Sequence, residues 1–267
     1  MQGISAVIHV ASPFTTSFED AQKELLDPAV KGTQNVLHSA HASGIKRIII
    51  TSSIASVFDL SKGGPRADHL YTPNDWNSLT AEVALSGKLP PGVVYAVSKA
   101  LAEKSAWNFA SAHPEIQLTA INPTMIYGPP VQSASTGSLN ESTAALYDLF
   151  RGGMANVPQT PVPFFVDVRD AAMAHVLALQ NNTVIGKRII LNAGTYTFYE
   201  VVEIIRRERP GLSSRLPSLE GAVDEPRLTF ARIDTSIAVK DLNMKFIPLK
   251  KSVLDTIDVV LKLESKL

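Results

Sequence analysis

Tyr95 and Lys99, four residues apart, are the side chains in this sequence that are best suited to moving a proton. They open the run YAVSKALAEKSAWNFASAH, which is rich in helix-forming residues and ends before His113-Pro114. Residues four apart share one face of a helix, so both side chains can act at one point. An ammonium group beside a phenol lowers the pKa of the phenol, which would let Tyr95 exchange a proton with a substrate oxygen near neutral pH. The spacing by itself also describes an ordinary helix start with an exposed lysine.

The segments around this pair alternate between short apolar strands and helices. The first strand, residues 5–10, is a nearly continuous apolar run and is predicted to be buried on both faces. The first helix is predicted over 27–43, with Asp27 as its N-cap and Gly44 at its C′ position. This alternation predicts an α/β fold with a doubly wound parallel sheet. Further strands are predicted over 45–50, 116–121, 164–168 and 189–191, and further helices over 139–150, 169–180, 198–207 and 252–263.

Hydroxyl side chains follow the second strand at its carboxyl end, in Thr51-Ser52-Ser53. The carboxyl ends of parallel strands border the ligand crevice of an open α/β sheet, so a hydroxyl there would face a bound ligand. The same residue types are also common in ordinary turns. Residues 58–92 are rich in glycine, proline, aspartate and asparagine, and a loop of this length in a compact domain is usually functional or partly disordered.

The composition narrows the classes of partner. The chain has 267 residues, 45% of them hydrophobic, which suffices for one large domain or for a domain with a lobe. Its formal net charge is +0 without a long charged run, so neither nucleic acid nor an anionic membrane is expected as a partner. It has no cysteine, no signal-peptide pattern and no apolar run of membrane-spanning length, which fits a cytoplasmic protein. We interpret His9 as a core histidine, because no second ligand stands at metal-binding spacing, and we expect no metal site.

Seven segments together resemble the extended short-chain dehydrogenase/reductase family, within the NAD-dependent epimerase/dehydratase superfamily. The similarity is strongest to the branch that contains dihydroflavonol reductases and fungal ketone, aldehyde and methylglyoxal reductases. The segments follow the family's order and nearly its spacing over almost the whole chain. They are VIHVASPF (7–14), LLDPAVKGTQNVL (25–37), RIIITSSIASVFD (47–59), YAVSK (95–99), INPTMIYGP (121–129), LNES (139–142) and VDVRDAAMAH (166–175).

The resemblance implies an NADPH-dependent reduction of a ketone or aldehyde by a Ser-Tyr-Lys mechanism. Ser53 matches the serine that hydrogen-bonds the substrate carbonyl, and Tyr95 matches the proton donor. Lys99 matches the lysine that lowers the pKa of that tyrosine and holds the nicotinamide ribose. The cofactor implied is NADP(H), with NAD(H) left open, and it would supply the hydride.

Further positions match the ligand contacts of the family. The substrate is expected to be a small carbonyl compound, and its surroundings suggest a hydrophobic or aromatic one. Whether the protein is a monomer or a homodimer stays open. Besides Tyr95 and Lys99, the cofactor contacts are Pro123, Ile126 and Ser142, and the aromatic residues expected at the substrate are Phe14, Phe58 and Tyr127.

The resemblance also predicts that the N-terminal part of the family fold is missing. Family members begin with a strand and a G-x-x-G-x-x-G loop that lets the backbone approach the pyrophosphate, and this sequence has no such loop. On this interpretation roughly 70–80 residues are absent. Residues 1–130 and 164–192 would form a truncated Rossmann-like domain, and residues 131–163 and 193–267 a small substrate lobe. The strand over 5–10 would then be an exposed apolar edge.

Two other interpretations of function stay open. In the first, the chain is a catalytically inactive paralogue or fragment that acts as a binding or regulatory partner, because the glycine-rich loop is absent. Alternatively, it would be an epimerase, dehydratase or 3-hydroxysteroid dehydrogenase of the same superfamily, since those enzymes use the same three residues. The fold alone does not choose among these substrates.

We expect the isolated chain to bind NADPH weakly, because the adenosine and pyrophosphate contacts would be lost with the glycine-rich loop. A titration of the purified chain with NADPH, followed by thermal shift, measures this affinity. A dissociation constant in the micromolar range would contradict the expectation.

Overall fold

The structure, a computed structural model, describes residues 1, 3–15, 17–132, 135–222 and 230–265. The chain folds into two compact units. The first unit holds Met1–Thr124, Met173–Leu191 and Ala231–Met244, and the second unit holds Met125–Ala172, Asn192–Phe230 and Lys245–Leu267. The chain passes between the units at residues other than the domain boundaries predicted from the sequence.

The strands alternate with helices along the chain, as the sequence predicts. In chain order the described strands are β1 (Ala6–His9), β2 (Arg47–Thr51), β3 (Leu70–Tyr71), β4 (Gln117–Pro123), β5 (Met125–Tyr127), β6 (Phe164–Asp167), β7 (Arg188–Leu191), β8 (Gly194–Thr195) and β9 (Arg232–Ile233). The described helices are α1 (Asp27–Ala42), α2 (Ala81–Ala84), α3 (Pro91–Ala112), α4 (Glu141–Phe150), α5 (Val168–Gln180), α6 (Phe198–Glu208), α7 (Ser236–Lys240) and α8 (Leu249–Glu264).

The main sheet of the first unit is parallel, with the strand order β1-β2-β4-β7. The strands β2, β4 and β7 are buried along almost their whole length, as continuous apolar runs in a parallel sheet should be. In the register, Ile8 lies opposite Ile49, and Ile50 lies opposite Ala120. The predicted α/β fold with a Rossmann-like parallel sheet is confirmed.

The strand β1 departs from its prediction, because it is not buried on both faces. Among the described residues it pairs with β2 alone and so forms the edge of the sheet. Ile8 is 40% exposed and Val10, just after the strand, is 60% exposed. An apolar run predicts a strand, but the neighbours on each side decide how deeply that strand is buried.

The helix α1 starts differently from its prediction. A π-helical turn, Gln22–Leu26, runs directly into α1, and Leu26 already has helical backbone angles. Asp27 is therefore not the N-cap. The end of the helix agrees with the sequence, because Gly44 has a φ of 71°, the left-handed conformation that glycine adopts without strain.

The helix α3, which carries Tyr95 and Lys99, is longer than predicted. It begins at Pro91, whose fixed φ and missing N–H suit the first turn, and it ends at Ala112. Tyr95 and Lys99 consequently lie in the second and third turns instead of at the helix start. Their backbone is held on both sides by regular helix, which fixes the direction of both side chains.

The second unit has its own sheet and its own core. In its sheet, β5 and β6 are parallel, and β8 is antiparallel to β6. Apolar side chains of α4, α6 and α8 form the core, including Leu149, Val201 and Val260, each with 0% exposure. Gly128 closes the turn after β5 with a φ of 136°, and a Cβ there would stand 2.7 Å from Cγ1 of Val168, so this turn requires glycine.

Ile49→Ala is expected to destabilise the first unit by about 2–5 kcal/mol, because it leaves a cavity in the centre of the sheet. Ile8→Ala, the same change at the residue opposite in the register, is the control. Ile8 is partly exposed, so its truncation removes less buried surface and should cost clearly less. Urea unfolding followed by circular dichroism compares the two variants, and equal losses would contradict the assignment of β1 as an exposed edge.

Candidate active site

Ser53 and Tyr95 meet in the first unit through their side chains. Ser53 follows β2 at its carboxyl end and caps the short turn Ile54–Ser56, where its Oγ accepts a hydrogen bond from the backbone N–H of Ala55 at 3.2 Å. The Ser53 hydroxyl is also hydrogen-bonded to the phenol of Tyr95 on α3. The turn after one strand and the neighbouring helix thus bring two hydroxyl groups together, one of them a phenol.

The pKa of Tyr95 is shifted in the direction opposite to the sequence prediction. Burial raises the pKa of Tyr95 to about 12, and the hydrogen bond with Ser53 lowers it only in part. The predicted lowering by Lys99 is therefore wrong for the folded chain, because loss of solvent around the phenol is the larger effect. Near neutral pH, Tyr95 therefore keeps its proton and has one to donate.

Lys99 is buried beside the same strand end. It is 6% exposed, and its Nζ donates a hydrogen bond to the backbone oxygen of Thr51 at 3.1 Å. Burial lowers the pKa of Lys99 to about 8, although the negative charge of Glu103 acts in the opposite direction. An ammonium group has three N–H donors, so Lys99 has donors left for a ligand besides the one that Thr51 accepts.

A small cavity lies next to Lys99 and is lined by polar groups, among them His9, Ser12 and Thr51. The Oγ of Ser12 is buried and makes no hydrogen bond within the described residues. The predicted core role of His9 is not found, because His9 is only half-buried on the edge strand. Burial and the charge of Lys99 lower the pKa of His9, which places the imidazole close to the ammonium group.

The two phenylalanines expected at the substrate differ in exposure. Phe14 is 51% exposed, and its ring meets the ring of Tyr95 edge to face with 4.7 Å between centroids. Phe58 is 4% exposed and packs edge to face on Tyr71 at 4.8 Å. The structure therefore brings Phe14 to Tyr95 with an exposed apolar face, whereas Phe58 lies in the packed interior.

The other expected contacts lie at strand ends or in the second unit. Pro123 is the last residue of β4 in the first unit and lies opposite Leu191. In the second unit, Ser142 donates a hydrogen bond to the backbone oxygen of Ile126 at 2.6 Å. Tyr127 is 2% exposed, and its hydroxyl is 2.6 Å from the hydroxyl of Tyr196. The contacts of these residues with cofactor or substrate stay predictions.

Motif analysis overlooks a polar network behind Ser53 that is centred on Glu103. This carboxylate accepts hydrogen bonds from Ser52, Asn122 and Arg188. One signal was present in the sequence, because Glu103 stands four residues after Lys99 and so shares its helix face. Arg188 has no such signal, since only the sheet brings β7 near α3.

Among the described residues, no group of three or more histidine, aspartate or glutamate side chains is arranged to hold a metal ion. No helix in the described part of the chain has both the length and the apolar character needed to cross a bilayer.

Comparison with known proteins gives matches along nearly the whole chain. The NAD dependent epimerase/dehydratase family matches residues 1–194. The NADPH-dependent methylglyoxal reductase of Saccharomyces cerevisiae is 32% identical over 276 residues, covering 99% of this chain and 78% of that protein. A cinnamoyl-CoA reductase of Medicago truncatula is 36% identical over 259 residues, covering 97% of this chain and 74% of that protein.

Solved structures agree with this similarity. The yeast methylglyoxal/isovaleraldehyde reductase complexed with NADPH has a TM-score of 0.83 and 31% identity, covering 99% of this chain and 78% of that one. These relatives are NADPH-dependent or carbonyl-reducing enzymes. The matches do not support the predicted N-terminal truncation, the impaired activity inferred from it, or the alternatives of an inactive paralogue and of an epimerase, dehydratase or steroid dehydrogenase.

Lys99→Met is expected to change how stability depends on pH. The folded-state pKa of Lys99 is about 8, below its ordinary value of 10.5, so the charged form is disfavoured in the folded chain. This penalty is fully present below pH 8 and is relieved as the pH rises toward 10.5, since the unfolded chain then binds more protons. Between pH 7 and 10, the free energy of unfolding of the wild type should therefore rise by up to about 3 kcal/mol relative to that of the variant.

Urea unfolding of both proteins at several pH values measures this difference. A difference in the free energy of unfolding that stays constant from pH 7 to pH 10 would show that Lys99 is not destabilised by burial.

Proposed function

Because the chain belongs to the NAD dependent epimerase/dehydratase family, we propose that it is an NADPH-dependent reductase of ketones or aldehydes. The observation that carries the proposal is the hydrogen bond between Ser53 and Tyr95, with the buried ammonium of Lys99 one helical turn further on α3. Relatives that are 32–36% identical and span the chain are named as a methylglyoxal reductase and a cinnamoyl-CoA reductase, which supports the same reaction class.

The residues near Lys99 fit the ribose end of a nicotinamide cofactor. The Oγ of Ser12 is buried without a partner, and the ammonium of Lys99 has donors to spare; both line the same cavity. Ribose hydroxyls accept and donate hydrogen bonds, so they satisfy a hydroxyl and an ammonium together. Pro123, Ile126 and Ser142 are proposed as further cofactor contacts. When bound, NADPH supplies the hydride that reduces the carbonyl carbon.

The chain's own hydroxyl groups act on the carbonyl oxygen. Ser53 donates a hydrogen bond to this oxygen and stabilises the negative charge that develops on it. Tyr95 donates its proton to the resulting alkoxide, which is a much stronger base than a phenolate. A phenol with a pKa of about 12 holds this proton until the alkoxide forms. Lys99, charged below a pH of about 8, stabilises the phenolate that remains.

A hydrophobic substrate is proposed from the aromatic side chain beside the proton donor. Phe14 is half exposed and contacts Tyr95, so an apolar group attached to the carbonyl would cover its free face. Phe58 is proposed to shape the apolar surroundings of the site from its buried position in the first unit, and Tyr127 is kept as a proposed substrate contact. The relatives are named for compounds as different as methylglyoxal and cinnamoyl-CoA, so a panel of small and aromatic carbonyl compounds is the appropriate screen.

Tyr95→Phe is expected to lower kcat at least about 100-fold, because it removes the proton donor while keeping the ring. NADPH oxidation at 340 nm with methylglyoxal, isovaleraldehyde and cinnamaldehyde measures turnover, and thermal shift measures NADPH binding, which should persist. Tyr147→Phe is the matched control, since it removes a phenol that hydrogen-bonds Glu264 in the second unit.

Two results would contradict the proposal. One is a folded wild-type chain that binds NADPH and reduces none of the carbonyl compounds. The other is a Tyr95→Phe variant with wild-type kcat.

A further inference from the structure

Glu103 and Arg188 form a buried ion pair in the first unit. Glu103 is 1% exposed and Arg188 is 7% exposed, and Nε of Arg188 lies 2.6 Å from Oε1 of Glu103. Burying two charges costs so much free energy that apolar residues of similar size often give equal or greater stability. Stability alone therefore does not account for this pair, and its hydrogen-bond partners indicate what else it does.

The partners of Glu103 come from the turn that carries Ser53. We call residues 51–56 the serine turn. Within it, Ser52 and Ser56 each donate a hydrogen bond to Oε2 of Glu103 at 2.5 Å. Asn122, near the end of β4, donates to the same oxygen at 2.8 Å and to the backbone oxygen of Ser53 at 3.3 Å. Since Glu103 lies on α3, two turns after Tyr95, these bonds tie the serine turn to the helix of the proton donor.

Arg188 extends the connection to the long loop before α3. Its Nη1 donates to the backbone oxygens of Pro73 at 2.7 Å and Asp75 at 2.5 Å. Its guanidinium lies 3.6 Å from the ring centroid of Trp76, a cation–π contact. The buried Glu103–Arg188 ion pair therefore connects the long loop, the serine turn and α3 through hydrogen bonds.

The network requires a carboxylate at position 103. Both carboxylate oxygens accept, and the donors include two hydroxyls, an amide, a guanidinium and the indole N–H of Trp107 at 3.1 Å. A glutamine would place an NH2 group against some of these donors. The charge of Arg188 and these hydrogen bonds hold the pKa of Glu103 below its usual range in spite of burial.

We propose that Glu103 is the positioning residue of the candidate active site, fixing the Ser53 hydroxyl against the Tyr95 phenol, and that Arg188 holds the loop at residues 73–76 to the same frame. The proposal rests on the proposed function for its catalytic consequence. Its structural part, the tie between the serine turn and α3, does not depend on which carbonyl compound is reduced.

The catalytic test compares Glu103→Gln and Glu103→Asp with the wild type. Glu103→Gln should lower kcat about 10- to 100-fold, because a displacement of a reacting group by about 1 Å has an effect of this size. The KM for NADPH should stay within about twofold. Glu103→Asp keeps the charge and should recover part of kcat. Asp241→Asn, which breaks the Lys187–Asp241 ion pair next to Arg188, is the matched control and should leave kcat unchanged.

The pH profile separates a positioning role from loss of folded protein. The charged and titratable groups that act on Lys99 are Glu103 on α3 and His9 on β1. Loss of the Glu103 charge removes the effect that raises the pKa of Lys99. The alkaline limb of kcat/KM should therefore move to lower pH in Glu103→Gln and stay in place in Asp241→Asn, whereas partial unfolding would lower activity at every pH.

Amide hydrogen exchange tests the connection between the serine turn and α3 without requiring enzymatic turnover. The amides of Ser56, Val57 and Phe58 are hydrogen-bonded within the serine turn and just after it. Their exchange should be at least about tenfold faster in Glu103→Gln than in wild type or Asp241→Asn. The chain has two tryptophans, Trp76 and Trp107, and both contact the ion pair, so intrinsic fluorescence should change in Glu103→Gln as well.

A double variant, Glu103→Met/Arg188→Met, covers the case in which a single variant fails to fold. It removes both buried charges together, so it should fold, yet exchange of the serine turn should stay fast and kcat low. Wild-type exchange in the serine turn, or wild-type kcat in the folded double variant, would overturn the positioning role. If the wild type reduces no carbonyl compound, the proposed function is wrong. The exchange result then still supports or contradicts the connection between the serine turn and α3.

Discussion

A buried carboxylate must have its hydrogen-bonding sites filled, and in the first unit this constraint is met at Glu103. The groups that fill them belong to the turn after β2, the end of β4 and the start of β7. Asn122 and Arg188 also donate hydrogen bonds directly to Ser56 Oγ, and the Glu103 carboxylate adds a shared acceptor on α3. A single desolvated charge, balanced by Arg188, therefore sets where the serine turn lies against α3, and the geometry of the candidate site follows from it.

Burial also governs the titration of the site, and it acts in opposite directions on a phenol and an ammonium. It raises the pKa of Tyr95 and lowers the pKa of Lys99, because it disfavours the charged form of each. Two neighbours oppose these shifts, the Ser53 hydroxyl for Tyr95 and the Glu103 carboxylate for Lys99. These two neighbours thus reduce the pKa shifts that burial imposes on the groups of the site.

Similarity to reductases named for chemically different substrates is consistent with a site in which some residues act on the carbonyl oxygen and others select the substrate. The relatives named for methylglyoxal and for cinnamoyl-CoA align with this chain along nearly its whole length. The hydroxyl pair and the lysine need only a carbonyl oxygen, whereas the side chains around them decide which carbonyl compound fits. In the first unit, Phe14 is proposed as such a side chain, since it contacts Tyr95 and still exposes half of its surface.

Local patterns in the sequence determined the α/β alternation, the parallel sheet and most helix and strand positions, because periodicity and caps act over a few residues. They also placed Gly44 at the end of α1. The family resemblance led to the proposed set of Ser53, Tyr95 and Lys99. The tertiary structure decided the exposure of β1, the π-helical turn that removes the cap role of Asp27, and the direction of the Tyr95 pKa shift. It alone paired Glu103 with Arg188, 85 residues away. Burial, and contacts between residues far apart in the chain, depend on neighbours that only the folded sheet brings together.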